Sequence, residues 1–420
     1  MRHVTRRRVL QSGVVAGGLA LAGCLGDDED DDVEENGYEV WALDQGTDII
    51  YIYEPGDEEG EFDLIEEIDL HDYDDTEPNE DGDISPHMIA YSSDYAYAAI
   101  ACNFAGQTLI FDTEEKDLIS ALNTGAGTHF AGFTPDDDAV IVDVIGESTI
   151  VKVDVDNGSF EIGESIEISD DVEGLTEDEG APICHSYDHQ GRSYHTLGPA
   201  YGNAGLVVVD HDDFSIDRAY PGDELPTNCG TMPHPTEDKF YLTAGLPTPV
   251  DDDGEPTGDD GVGAYYVYDT ANDEIIVDGE STEGIDAHGF WFTPDGEELW
   301  VLNRETNDGV IVDPDTDDVI EEIDAFGPET GDDPEESDAP DIMWASPDGE
   351  YMFVTLRGPT PRTGAPHAAT GVTSGFSVID IESRDIERVI EPDEENEDSD
   401  FHGIGVRPLD DFDGLTSPPF

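Results

Sequence analysis

Lysine is almost missing from this sequence. Of 420 residues only Lys116, Lys152 and Lys239 are lysines, and arginine brings the basic total to 15 against 105 acidic residues, a formal net charge of −90. So few cations leave nothing to neutralise the phosphates of a nucleic acid, and no nucleic-acid partner is expected. A globular chain with this charge repels itself strongly in ordinary buffer. It becomes tolerable where molar salt shortens the Debye length to about 3 Å. The acids run along the whole chain between regular apolar segments rather than in one tail, so they read as a halophilic solvation shell. A polyanionic nucleic-acid mimic or calcium buffer has no motif behind it.

Long apolar runs are lacking too. The stretch from Val14 to Ala22 is too short to span a bilayer as a helix. It follows Thr5-Arg6-Arg7-Arg8-Val9-Leu10, which resembles a twin-arginine export signal. It runs into Leu21-Ala22-Gly23-Cys24, which resembles the lipobox of prokaryotic lipoproteins. The two resemblances imply residues 1–23 as a cleaved signal, a lipid on Cys24, and a protein held extracytoplasmically on the outer face of the cell membrane. Residues 24–36, almost all acidic from 27 to 35, read as a solvated tether.

Cysteine is scarce. After Cys24 only Cys102, Cys184 and Cys229 remain, too few in an exported chain of this length for a disulfide scaffold. The odd count leaves at least one thiol free or bound. Cys184 and Cys229 are left open as a possible pair.

What the sequence does have is a repeat. Its clearest copy starts at His288 and runs through the turn Thr293-Pro294-Asp295-Gly296 to Val312-Asp313 and on to Asp324, which reads as four short strands. Sibling turns are Ser92-Ser93-Asp94, Thr134-Pro135-Asp136 and Ser346-Pro347-Asp348-Gly349. Third strands close on an apolar residue and Asp, as at Asp112, Asp154, Asp210, Asp269, Asp313 and Asp380. Units begin near residues 38, 85, 127, 182, 226, 286 and 339, four strands each, the signature of propeller blades. The first unit lacks an opening strand, and an orphan strand lies at Phe401–Pro408. The expectation is an all-β, seven-bladed propeller over residues 37–420, closed by that strand completing the N-terminal blade, which removes the open sheet edge. The pattern resembles the YVTN-type, surface-layer-like propeller family, here as a haloarchaeal exported lipoprotein. That family resemblance speaks for the fold and is nearly silent about chemistry.

The repeat also aligns one position across blades. Five residues before each turn stand His87, His129, His185, Cys229, His288 and Asp341, with His402 on the closing strand. The alignment of His185 takes Gln190 as the turn of blade four. All seven are metal-ligand types at the start of an innermost strand, where side chains can face the axis. Imidazole and thiolate together suit copper or zinc rather than magnesium or calcium. The competing reading is a set of rim histidines that only bind backbone. Two insertions, near 246–262 and 358–375, should overhang the same rim. The second carries Arg362 and His367, follows Arg357 and neighbours Arg304. Such a cation cluster in an acidic chain suits an anionic ligand, or equally salt bridges that pin the loop.

Three functions follow as expectations. One is a metal-binding or delivery lipoprotein, with a metal transporter or redox partner, by analogy with propeller-type zinc metallochaperones. A second is an oxidoreductase related to the nitrous oxide reductase propeller, from which this chain departs by Cys229 and Asp341 and by lacking a cupredoxin domain. A third is a lactonase-like or plain ligand-binding propeller. No Ser-His-Asp constellation, nucleotide loop or quinoprotein repeat is visible in the sequence. A monomer is expected.

Overall fold

The computed structural model describes residues 37–420 apart from positions 57, 59, 173–174, 176–179, 199–204, 212, 252–255, 259–260, 332–335, 393–395, 410–411, 413 and 416–420. The signal, lipobox and tether at residues 1–36 lie outside the described residues. Within them, 28 strands form seven four-stranded sheets. Six sheets use strands consecutive in sequence, and the seventh joins Phe401–Pro408 to Tyr38–Asp44, Ile49–Pro55 and Phe62–Asp69. This is the seven-bladed propeller with the closure read from the sequence. Tyr38 pairs with Pro408 and Trp41 with Gly405, so the last strand supplies the inner edge that blade one lacks.

The blades form because each strand alternates, and each sheet then buries both faces against its neighbours. Trp41, Trp300, Phe353 and Tyr265 are fully buried between sheets. Burying such side chains contributes roughly 1.5–3 kcal/mol each. Aromatic edges add to this where blade one meets blade seven: Phe62 stands perpendicular to Phe353, ring centroids 5.2 Å apart. The outermost strands alternate less and carry the acids, as in Phe62–Asp69, where five consecutive residues are exposed.

The turn motif is fixed by its own side chains. Ser346 Oγ donates to Asp348 Oδ1 at 2.5 Å, and that oxygen also accepts the Glu350 amide at 3.0 Å. The fourth position is left-handed, with φ of +77° at Gly349 and +72° at Gly296, a conformation glycine adopts without a Cβ penalty. Blade four uses the same device two residues earlier than the sequence alignment placed it. Asp188 opens the turn, its Oδ1 accepting the amides of Gln190 and Arg192, and Gly191 takes the left-handed position. The spacing concealed this, because six residues separate its second and third strands (Gly198 to Gly205) against four in blade two (Cys102 to Gln107).

All the innermost strands except Thr231–Pro233 share one irregularity. Their pairing with the second strand slips at Pro86/Met88, Thr128/Phe130, Ala287/Phe290 and Pro340/Met343, and again on the closing strand opposite Ala42/Asp44. Each slip is a bulge, which leaves a residue outside the ladder and re-aims its side chain. The residues so displaced include His87, His129, His288, Asp341 and His402. In blade four the slip lies between Pro182 and His185, so Ile183, not His185, occupies the equivalent place.

Candidate metal centre

Four imidazoles, those of His87, His129, His288 and His402, line one cavity of about 440 Å³ at the rim. His87 Nε2 lies 3.0 Å from His129 Nε2. The rings of His87 and His402 stack with centroids 3.6 Å apart. Asp341 bridges the other side, Oδ1 lying 2.8 Å from His288 Nε2 and Oδ2 lying 3.5 Å from His402 Nε2. One ligand atom from each of His288, Asp341 and His402 can be brought within 4.8 Å of the others.

The hydrogen bonds behind the rings decide what the front nitrogens can do. His87 Nδ1 meets Gln45 Oε1 at 2.8 Å, His129 Nδ1 meets the Ile183 carbonyl at 2.9 Å, and His402 Nδ1 meets the His87 carbonyl at 3.0 Å. Oxygen acceptors require the proton on Nδ1 in all three. A neutral ring so held carries a lone pair on Nε2. Two lone pairs therefore face each other across 3.0 Å, and a third faces a carboxylate. Burial keeps the rings neutral, His87 and His402 well below the ordinary histidine value and His129 down to about 4. Unpaired imidazole acceptors of this kind cost about 1–3 kcal/mol each unless something cationic meets them. Asp341 Oδ1 is buried too, with His288 Nε2 at 2.8 Å and Arg304 Nη1 at 3.5 Å. Backbone or amide oxygens fixing the Nδ1 side are the usual means of orienting metal-binding imidazoles.

His288 differs. Burial and Arg304 work against its proton, but Cys229 and Asp341 outweigh them and raise it to about 9. At neutral pH it is an imidazolium paired with Asp341. Burial also works against ionised Asp341, yet the cationic groups around it, Arg304 and Arg357 among them, hold it well below the usual carboxylate range.

The cation cluster separates into two jobs. Arg357 is fully buried, its Nη1 on Asp341 Oδ2 at 2.5 Å and its Nε on Asp400 Oδ1 at 2.5 Å. It orients Asp341 and is not available to a ligand, which corrects the sequence-based expectation for that residue. Arg304 and Arg362 do line the cavity. Arg304 grips Asp286 through Nε at 2.9 Å and Nη2 at 2.8 Å, and Arg362 reaches Asp83 at 2.6 Å. His367 sits on the short helix Pro366–Ala369 and does not line the cavity.

Two expected members of the ring lie elsewhere. Cys229 and Cys184 line a narrower, largely apolar void along the axis, about 110 Å³, beside Met88, Phe130 and Trp344. Both thiols are free, so no Cys184–Cys229 disulfide forms. Cys184 Sγ is 3.9 Å from His129 Nδ1. His185 belongs to a second cluster. Asp143 accepts from His185 Nδ1 at 2.7 Å and from His195 Nδ1 at 2.6 Å, all three buried. Beyond them His195 Nε2 accepts the Ser193 hydroxyl at 2.6 Å, and Ser193 Oγ accepts from His211 Nε2 at 2.8 Å.

This second cluster was not legible in the sequence, and it contains the Ser-His-Asp alignment that the sequence had no sign of. Its chemistry is nonetheless closed. Ser193 is fully buried with both neighbours engaged, and both Nδ1 protons already sit on Asp143. It has no nucleophile open to substrate; ligand atoms of Asp143, His185 and His195 also lie within 4.8 Å of one another, with His185 Nε2 at 3.3 Å from the Tyr187 hydroxyl.

No family model matches the chain, and no curated protein matches it. Among solved structures it is similar to hydrazine synthase of Kuenenia stuttgartiensis, at 13% identity and TM-score 0.56 over 82% of this chain and 95% of that one. It is also similar to a candidate 6-phosphogluconolactonase of Bacteroides uniformis, at 14% identity and TM-score 0.50 over 69% of this chain and 81% of that one. At these identities the likeness is one of fold.

Proposed function

We propose that this chain is an extracytoplasmic, lipid-anchored propeller of the YVTN type that binds copper or zinc at its rim, as a metal-binding or delivery protein. The ligands are His87, His129 and His402 through Nε2, with Asp341 and, once deprotonated, His288. One observation carries the reading: three buried neutral imidazoles, their Nδ1–H groups tied back to oxygens, turn their lone pairs into one cavity, with the Asp341 carboxylate beside His288 and His402. Imidazole with carboxylate is a zinc or copper donor set. The N-terminal motifs support delivery to the membrane surface, and the acid excess supports work in molar salt.

The lactonase-like alternative finds no support in Ser193, which is buried. The test is a His87→Ala, His129→Ala double variant beside wild type in molar sodium chloride, each given substoichiometric zinc or copper(II) and then desalted. Loose binding by surface carboxylates is swamped by salt, whereas a histidine site survives it. Wild type should retain close to one equivalent and the double variant less than a tenth of that. Equal retention, or none in wild type, would overturn the reading.

A further inference from the structure

The wall of the rim cavity reverses the charge balance of the protein. Over the whole chain acids outnumber bases seven to one, 105 against 15. Among the residues lining this cavity Asp286 is the single acid, against Arg304 and Arg362. A site built for a bare cation would not place guanidinium groups over its ligands, since they repel the incoming ion.

Neither arginine is exhausted by its aspartate. Arg304 is almost fully buried and commits Nε and Nη2 to Asp286, while Nη1 has only 3.5 Å approaches, to His288 Nε2 and Asp341 Oδ1. Arg362 uses Nη2 on Asp83 and lays its guanidinium over Phe104 at 5.4 Å, which leaves its other nitrogens for a ligand. Asn103 joins them on the wall, its backbone amide bonded to the Ser85 carbonyl and its side-chain amide open. Size points the same way. A cavity of about 440 Å³ is far more than one ion and a water need, a water occupying about 30 Å³. Ile145, Ile183, Pro247 and Ala365 supply apolar wall between the polar ends, which favours a carbon skeleton over an inorganic oxyanion.

We propose that the cavity takes its metal together with a small organic di- or polycarboxylate, bound at one end to the ion beside Arg304 Nη1 and at the other by Arg362 and the Asn103 amide. Arginine suits this role because its planar fork matches a carboxylate. The inference rests on the metal reading, and its test separates the two.

Zinc-loaded protein in molar sodium chloride is titrated calorimetrically with malonate and, in parallel, with inorganic phosphate. The variants are Arg362→Gln and Asn103→Ala, each checked for an unchanged strand signal. Malonate should saturate at one equivalent without removing zinc, weaken at least tenfold in Arg362→Gln and measurably in Asn103→Ala, and bind more tightly than phosphate. Zinc affinity in both variants should stay within about threefold of wild type. Malonate binding that is absent or unaltered by both substitutions, release of the zinc into solution, or tighter binding of phosphate would each overturn the proposal while leaving the metal site standing. Failure of wild type to hold zinc at all would remove both.

Discussion

The sharpest consequence of the rim geometry concerns pH. A metal competes with protons for each imidazole, so affinity falls wherever its ligands are protonated. Three ordinary histidines, with a reference pKa of about 6.5, would each be about ten parts protonated to one neutral at pH 5.5, and together would cost about a thousandfold in affinity. The rim histidines are not ordinary. Burial lowers all three, His129 to about 4 and the other two well below the usual value. A group with pKa near 4 is almost wholly neutral at pH 5.5, and its competition there is negligible. The three lowered imidazoles should therefore contribute less than about threefold to any change in zinc affinity from pH 7.5 to pH 5.5. Above neutrality the sign comes from His288, raised to about 9. Its proton must leave before it can join the site, a cost of about 2.7 kcal/mol at pH 7, two units below that value. Affinity should thus climb by up to about a hundredfold between pH 7 and pH 9, and His288→Gln should abolish the climb while leaving the acid limb flat. Competition against a chromophoric chelator in molar sodium chloride measures both limbs. A loss centred near pH 6.5 with a slope of two to three protons would refute the reasoning, because it would mean that the imidazoles are solvated and free rather than buried and tied back.

Two further predictions concern other parts of the chain. Asp143→Asn should destabilise the fold by about 2–3 kcal/mol, because an amide cannot accept both the His185 and His195 protons and strands one buried donor; a thermal midpoint equal to that of wild type would show the cluster to be dispensable. Burial opposes the charge on Asp143, but His195 and His185 hold its pKa below the usual range, so its contribution is complete above ordinary carboxylate pH and is lost only as pH falls through the lowered value. Cys24→Ser should release the protein from membranes or leave the precursor uncleaved, read by fractionation and gel mobility; a variant that fractionates and migrates like wild type would end the lipobox reading.

The fold was legible because a propeller writes its period into the chain. Each blade needs a tight turn after its innermost strand, and Thr293-Pro294-Asp295-Gly296 or Ser346-Pro347-Asp348-Gly349 meets that need locally, with side chains that satisfy their own backbone. Closure was legible for the same reason, since a first unit with no opening strand and a last strand with no unit have one economical solution. Part of the rim followed: His87, His129, His288, Asp341 and His402 share a register, and a rotationally repeated scaffold gathers whatever occupies one register.

Tertiary structure decided the rest, for reasons that spacing does not carry. Two extra residues in the loop before Gly205 moved His185 out of register, and only the pairing of Asp188 with the amides of Gln190 and Arg192 reveals the true turn. Asp143 comes from one blade and Ser193, His195 and His211 from the next, at positions the repeat does not mark, so their meeting depends on how sheets face each other. Arg357, Arg304 and Arg362 looked alike as cations near one loop. Burial made Arg357 the internal partner of Asp341 and Asp400 and left the other two on the cavity wall. Above all, sequence could name imidazoles but not their protons. Which nitrogen carries the lone pair was settled by Gln45, by the Ile183 carbonyl and by the His87 carbonyl, groups whose importance exists only once the ring has closed.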